Sequence, residues 1–164
     1  HHLGEVTYFS PLADTSLPDA GFVYLPGGYP ELYLAALSAN RQMLQSIRRY
    51  VESGGKLLAE CGGMMYLCDE IRDKNGDVYP MAGVLHQSAT MENMKLRLGY
   101  RTLLCNETRL KGHEFHYSRL VEQQNPLPSC AVAYTAKGVE TDTPLYHYKN
   151  DRTNFWCDVY PVSR

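Results

Sequence analysis

The feature that most constrains this chain is the segment from Lys56 to Tyr66, which reads KLLAECGGMMY. An apolar run of strand length leads directly into Cys61, and two glycines and a helix-forming stretch follow it. A turn that joins a buried strand to a helix in so few residues requires small flanking residues. The order therefore predicts an elbow that lifts the Cys61 sulfur above the carboxyl end of a sheet, where open α/β sheets bind ligands.

This position also predicts the chemistry of Cys61. At the start of a helix, unpaired N–H groups and the positive end of the helix dipole favour a thiolate over a thiol, whose unperturbed pKa is about 8.5. The same N–H groups can hold the oxyanion that forms when a thiolate attacks a carbonyl. The alternative is a small buried apolar residue, which suits the other four cysteines; Cys68, for example, is expected inside the helix. The glycine context favours Cys61 as a nucleophile.

A second glycine pair lies one strand–helix unit earlier. The apolar run Phe22 to Leu25 predicts a strand buried on both faces of a parallel sheet, and Gly27 and Gly28 follow it after one proline. Taken alone, this pair indicates a plain turn. Because its tip would flank Cys61 at the same sheet edge, the Gly28 N–H could be a second oxyanion donor beside that of Gly62.

The remaining pattern predicts an α/β fold. We expect a strand at Glu5 to Phe9, a helix at Glu31 to Ala39 and a second helix that Asn40 caps. After Asp73, apolar and polar residues alternate as in strands with one solvated face. The expected architecture is one domain over residues 1–164, with an open, mostly parallel sheet flanked by helices and a β-rich second half.

Composition excludes several classes of protein. The formal net charge is -2 and the basic residues are scattered, so we expect neither a nucleic-acid nor a membrane partner. The five cysteines form no CxxC pair, which argues against a disulfide framework or a structural zinc site. We therefore predict a cytoplasmic protein without a metal site.

Four motifs together resemble one known family. LPGGYPELY (residues 25–33), LSANRQM (37–43), AECGGMMYL (59–67) and GHEFHYSR (112–119) look like the C-terminal glutaminase domain of cobyrinic acid a,c-diamide synthases, a class I glutamine amidotransferase domain with a flavodoxin-like fold. The resemblance extends from about residue 5 to about residue 150. Nickel-sirohydrochlorin a,c-diamide synthases share the pattern and stay open as an alternative.

The resemblance implies a function. Cys61 would attack the amide of glutamine and form a thioester, and the ammonia released would serve the a,c-diamidation of cobyrinic acid in cobalamin biosynthesis. ATP and magnesium would act in a separate N-terminal synthetase domain, which we expect to be absent here because no GxxxxGK[ST] loop occurs. The implied partners are glutamine and that synthetase domain, and this domain itself needs no cofactor.

The general base is a problem for this interpretation. In the family, a histidine near the C-terminus is the general base. Residues 151–164 of this chain contain no histidine and form an atypical tail. His147 is a candidate substitute base, although an incidental strand histidine is the plainer interpretation. We therefore predict weak or absent glutaminase activity for the chain alone.

Other residues are candidates for substrate binding or for structural roles. Gly27 and Tyr29 belong to the first glycine loop. His113 and His116 stand three residues apart on one predicted strand, which places them on opposite faces, so that one could face the pocket. Glu60 is expected to point away from Cys61.

Two alternative functions remain at this stage. The chain could be a catalytically silent binding domain that docks a synthetase, or an unrelated cysteine hydrolase or chaperone-like α/β protein with the same elbow. An unpaired strand edge could also produce a homodimer.

Overall fold

The structure is a computed structural model that describes residues 4–105, 107–123, 127–147, 155–157 and 159–161. Within these ranges, three short helices and a larger number of strands surround one main core. The strands form three sheets, and the first of them positions Cys61.

The first sheet is the parallel one that the sequence predicts. Strand β1 (Phe22–Leu25) pairs in parallel with β2 (Lys56–Glu60). Strand β12 (Phe155–Cys157) lies parallel to the other side of β2, and β11 (Leu145–His147) runs antiparallel to β12. Because Leu25 pairs with Ala59, the carboxyl ends of β1 and β2 meet at one edge of the sheet.

Two of the helices lie between β1 and β2 in the chain, and the third follows β2 directly and packs on both strands. A 3-10 turn (Pro30–Leu32) leads into α1 (Leu34–Ala39), and α2 (Arg41–Glu52) follows. Helix α3 (Gly62–Leu67) begins immediately after the predicted elbow. The apolar face of α2 recurs every three to four residues, as the sequence predicts, and its buried residues are Met43, Leu44, Ile47 and Val51.

Asn40 caps α2 and also fixes the loop before it. Its Oδ1 accepts a hydrogen bond from the Met43 N–H at 3.3 Å. Its Nδ2 donates to the carbonyl oxygens of Pro11 and Asp14, both at 2.8 Å. One side chain therefore satisfies three backbone groups.

We expect Asn40→Ala to lower the free energy of unfolding by about 1–2 kcal/mol, because it removes the cap and leaves two loop carbonyls without their donor. Urea denaturation followed by circular dichroism measures this change. The matched control is Asn75→Ala in an exposed turn, which should change stability by less than about 0.5 kcal/mol. Equal effects of the two substitutions would contradict the capping role.

The two further sheets make the second half β-rich, as predicted. The five-stranded antiparallel sheet has the order β10 (Glu140–Thr141), β9 (Val132–Thr135), β6 (Arg97–Cys105), β7 (Thr108–His116) and β13 (Val159–Pro161). The four-stranded sheet has the order β4 (Val78–Pro80), β3 (Cys68–Arg72), β5 (Leu85–Thr90) and β8 (Arg119–Leu120).

The predicted strand at Glu5 to Phe9 is wrong. This segment joins no sheet among the described residues, and Val6 and Tyr8 are 70% and 90% exposed. A strand needs a neighbour to pair its N–H and C=O groups, so a strand-like pattern without a neighbour stays irregular.

Two further expectations need correction. Strand β1 is buried on one face only, because Phe22 and Tyr24 are 54% and 45% exposed. Val23 and Leu25 pack into the main core instead. Cys68 does not lie inside a helix: α3 ends at Leu67 and Cys68 begins β3, which β4 and β5 pair on both sides.

No helix in the described ranges is long and apolar enough to cross a membrane.

Candidate active site

Cys61 occupies the predicted elbow between β2 and α3. Its backbone has φ +48° and ψ -110°, a conformation that residues other than glycine rarely adopt and that costs about 1–3 kcal/mol. The Cys61 carbonyl accepts a hydrogen bond from the Met65 N–H at 3.0 Å, which begins the helix. Cys61 is 8% exposed, so it lies at the base of a depression rather than on an open surface.

The two glycines after Cys61 allow very close backbone contacts. A Cβ on Gly62 would lie 2.7 Å from the Gly28 carbonyl oxygen and 3.0 Å from the Gly28 nitrogen. A Cβ on Gly63 would lie 2.2 Å from the Leu25 carbonyl oxygen. The elbow therefore packs directly on the end of β1, and the backbones of Gly28 and Gly62 are in contact.

A cavity of about 220 Å³ opens beside Cys61. Its walls come from the first glycine loop, the elbow, β7 and the turn after β7. Five of its lining residues are candidates from the sequence: Gly27, Gly28, Tyr29, Cys61 and His116. Gly62 contributes backbone packing beside this cavity.

Six lining residues were not candidates: Glu31, Met65, Met91, Phe115, Tyr117 and Ser118. Four of them lie within the motifs LPGGYPELY and GHEFHYSR, so these motifs could have indicated them as residues of the site. Met91 follows β5 and carries no chemical signal in the sequence. Among the described lining residues, Glu31 carries the one carboxylate.

His116 is held from both sides of its ring. Its Nδ1 lies 2.8 Å from the Ser118 carbonyl oxygen, and its Nε2 lies 2.9 Å from Glu114 Oε1. Glu114 is only 1% exposed, and Arg101 Nη2 lies 2.5 Å from its Oε2. Burial opposes ionisation of Glu114, but the hydrogen bond from His116 and the charge of Arg101 outweigh it and hold the Glu114 pKa below its usual value.

The other histidines lie elsewhere. His113 is on the opposite face of β7, where its ring packs edge-on against Tyr100 with centroids 5.4 Å apart. His86 is exposed, with its Nδ1 3.2 Å from Asp69 Oδ1.

His147, the predicted substitute base, is placed by its backbone alone. His147 pairs with Phe155 of β12, and Phe155 pairs with Leu58 of β2, which stands three residues before Cys61. His147 therefore lies on the second strand from β2. Two strand spacings put these backbones roughly 10 Å apart. Its side chain lies outside the described residues, as do those of the predicted atypical tail.

Glu60 lies apart from this cavity. It is 1% exposed and accepts a hydrogen bond from the Tyr24 hydroxyl. Burial raises the Glu60 pKa, and the hydrogen bond from Tyr24 only partly offsets this. Within the described part of the chain, no three His, Cys, Asp or Glu residues are grouped closely enough to hold a metal ion.

Comparison with known families identifies the chain's relatives. Residues 1–157 match the model of the CobB/CobQ-like glutamine amidotransferase domain. The chain belongs to this family. The resemblance that the four motifs indicate is thereby confirmed.

This amidotransferase domain is similar to proteins that are named a,c-diamide synthases. The chain is 42% identical over 135 residues to a hydrogenobyrinate a,c-diamide synthase of Pseudomonas aeruginosa, which covers 82% of this chain. It is 45% identical over 121 residues to a cobyrinate a,c-diamide synthase of Fusobacterium nucleatum, which covers 71%. The chain spans only 29% and 27% of these two proteins.

Solved structures confirm the predicted fold class. The Thermotoga maritima PurLQS structure matches with a TM-score of 0.56 over 92% of this chain and 72% of that chain, at 16% identity. A crystal structure of a glutamine amidotransferase matches with a TM-score of 0.53 over 85% of this chain and 70% of that chain, also at 16% identity.

Proposed function

We propose that this domain hydrolyses glutamine through Cys61 and supplies ammonia to the a,c-diamidation of cobyrinic acid in cobalamin biosynthesis. The observation that carries the proposal is the strained elbow, which sets Cys61 at a small cavity beside the contacting backbones of Gly28 and Gly62. The names of the relatives at 42% and 45% identity favour the corrinoid substrate over nickel-sirohydrochlorin.

The reaction follows from this arrangement. The Cys61 thiolate attacks the side-chain carbonyl carbon of glutamine, and the N–H groups of Gly28 and Gly62 stabilise the oxyanion. The C–N bond then breaks, the nitrogen takes up a proton and ammonia leaves a γ-glutamyl thioester. Water hydrolyses the thioester, which releases glutamate and regenerates Cys61.

The size of the cavity beside Cys61 supports a small substrate. Its volume of about 220 Å³ is below the range of about 300–1,000 Å³ that is usual for drug-sized ligands. It suits an amino acid rather than a tetrapyrrole. The corrinoid, ATP and magnesium are proposed to bind a separate synthetase portion, and this chain spans only 29% of the hydrogenobyrinate a,c-diamide synthase, which leaves length for such a portion there.

No described side chain is assigned as the base. Both nitrogens of His116 are already engaged, and the His147 backbone is set back from Cys61. General acid–base help is worth about 10²–10⁴-fold. We therefore expect this chain alone to hydrolyse glutamine slowly or not at all.

Glu31 is proposed to bind the α-ammonium group of glutamine, because it supplies a carboxylate to the cavity wall. We expect Glu31→Gln to raise the glutamine concentration that half-protects Cys61 from modification by about tenfold, the equivalent of about 1.4 kcal/mol. The control is Glu52→Gln at the end of α2, outside the cavity. Unchanged protection by glutamine would contradict the assignment.

The proposal is tested with 6-diazo-5-oxonorleucine, a reactive analogue of glutamine. Intact-mass and peptide mass spectrometry should find one adduct on Cys61, which excess glutamine blocks and which Cys61→Ser lacks. If the protein is folded and no adduct forms, the result would instead support the alternative, a catalytically silent domain that docks a synthetase. An adduct that other acyl substrates block equally well would indicate an unrelated cysteine hydrolase.

A further inference from the structure

Two cysteines that take no part in the proposed reaction lie together at one end of the antiparallel sheet. Cys105 is the last residue of β6, and Cys130 lies two residues before β9, which pairs with β6. The ladder between these strands stops at the pair Leu104 and Val132, so both cysteines leave it at the same end. They pack against one small apolar cluster, whose buried members are Leu103, Ala133 and Leu145.

The two thiols also interact with each other. Burial, and after it the charge and hydrogen bond of the adjacent Cys105 thiol, raise the pKa of Cys130 to about 11. Both cysteines are free and neither is fully buried, so reagents in solution reach them. Two thiols that share a hydrogen bond are close enough for side-chain rotation to bring the sulfurs into bonding distance.

The backbone at Cys130 is held in place without its thiol. The Cys130 N–H donates to the Leu145 carbonyl oxygen at 2.7 Å, and Cys130 Sγ lies 3.0 Å from the same oxygen. A thiol is a weak donor. If the sulfur bonds elsewhere, the carbonyl keeps its stronger partner, so the change costs little at this position.

We propose that Cys105 and Cys130 are a modification site, at which a small-molecule disulfide such as oxidised glutathione forms a reversible disulfide between them. The Cys105 thiolate attacks one sulfur of the oxidant, which leaves a mixed disulfide on Cys105 and releases one glutathione. The Cys130 sulfur then attacks the Cys105 sulfur, and its proton goes to the second glutathione as it leaves. Two protein thiols are oxidised, and one glutathione disulfide is reduced to two thiols.

The order of attack follows from the surroundings of Cys130. Its raised pKa keeps it protonated at neutral pH, and the thiolate is the nucleophile in disulfide exchange. Cys105 therefore takes up the oxidant first, and Cys130 resolves the mixed disulfide.

The bridge closes the segment 106–129 into a loop. This segment carries β7 and the turn after it, and it supplies part of the wall of the cavity beside Cys61. The wall residues within the loop are Phe115, His116, Tyr117 and Ser118. Oxidation therefore ties together the two ends of the segment that forms this wall. The proposal goes beyond glutamine hydrolysis and does not depend on it.

Trypsin separates the cysteines that must be distinguished. Cys105 falls in the peptide 102–109, and Cys130 falls in the peptide 120–137. The other cysteines fall in two further peptides, with Cys61 and Cys68 in 57–72 and Cys157 in 153–164. A cross-link between two of these peptides therefore identifies its partners.

The test incubates the folded protein with oxidised glutathione, blocks free thiols with iodoacetamide and analyses the tryptic digest by mass spectrometry without reduction. We expect one dominant cross-linked species that joins 102–109 to 120–137 and that dithiothreitol abolishes. If these two peptides stay unlinked in the folded protein, or if Cys105 or Cys130 is instead joined to Cys157, the proposal is overturned.

A variant tests the order of the two steps. Cys130→Ser removes the resolving thiol, so we expect the glutathione mixed disulfide to accumulate on Cys105. The matched variant Cys105→Ser should leave Cys130 largely unmodified under the same conditions. An adduct on Cys130 and none on Cys105 would overturn this order. If the variants do not fold, the cross-link map of the unsubstituted protein still decides.

Thermal denaturation shows whether the bridge fits the folded sheet. Closing a loop of this length should raise the Tm of the oxidised protein by roughly 5–10 °C. Dithiothreitol should reverse the rise, and Cys130→Ser should not show it. An unchanged or lower Tm of the cross-linked protein would count against the proposal. None of these measurements uses glutamine, so a failure of the diazo-ketone labelling would reject the proposed function alone.

Discussion

Gly63→Ala is expected to destabilise the protein by about 3 kcal/mol, the upper part of the range for overpacked sites. At most helical positions this substitution stabilises a protein by roughly 0.5–1 kcal/mol. Here the new Cβ would lie 2.2 Å from the Leu25 carbonyl oxygen. That oxygen belongs to β1, which β2 holds in register, so neither side can move without breaking the sheet at the elbow.

Thermal and urea denaturation of the purified variant measure this effect. The matched control is Gly21→Ala, because a Cβ on Gly21 meets no atom within 4 Å. The control should stay within about 0.5 kcal/mol of the unsubstituted protein. A Gly63→Ala variant as stable as the control would show that the strand and helix are further apart than described.

The second large effect concerns Cys61. We expect Cys61→Gly to be more stable than Cys61→Ala by about 1–3 kcal/mol, because only glycine adopts φ +48° and ψ -110° without strain. Neither variant should react with the diazo ketone. The usual order is the reverse, since glycine in a regular element costs roughly 0.5–1 kcal/mol relative to alanine.

Position 105 provides the comparison for this pair of variants. Cys105 ends β6 and does not have a positive φ, so there the alanine variant should be the more stable. If alanine were also the better residue at position 61, the elbow would be relaxed rather than strained. The strain would then have no part in presenting the sulfur.

The sequence predicted the parts of the fold that local rules govern. The cap at Asn40, the buried face of α2 and the strand that leads into Cys61 each depend on a few neighbouring residues, and the structure has all three. The elbow was predictable because so tight a turn between a strand and a helix leaves room only for small residues beside the cysteine, and two glycines follow it.

The features of the fold that the sequence did not predict depend on contacts between residues that are far apart in the chain. The segment Glu5 to Phe9 has a strand-like sequence, but no described strand lies beside it. Cys68 follows helix-forming residues, yet pairing of β3 with β4 and β5 overrides that preference. The buried ion pair between Glu114 and Arg101 joins two strands, and no local pattern in the sequence indicates it.

The hydrogen bond between Tyr24 and Glu60 has a consequence for the choice of buffer. Because burial raises the Glu60 pKa in the folded state, folding takes up protons at this site. By linkage, the stability that this carboxyl contributes is complete below its unfolded pKa and is lost as the pH rises through the folded one. Mildly acidic solutions should therefore favour the folded chain through Glu60, the residue that directly precedes the strained cysteine.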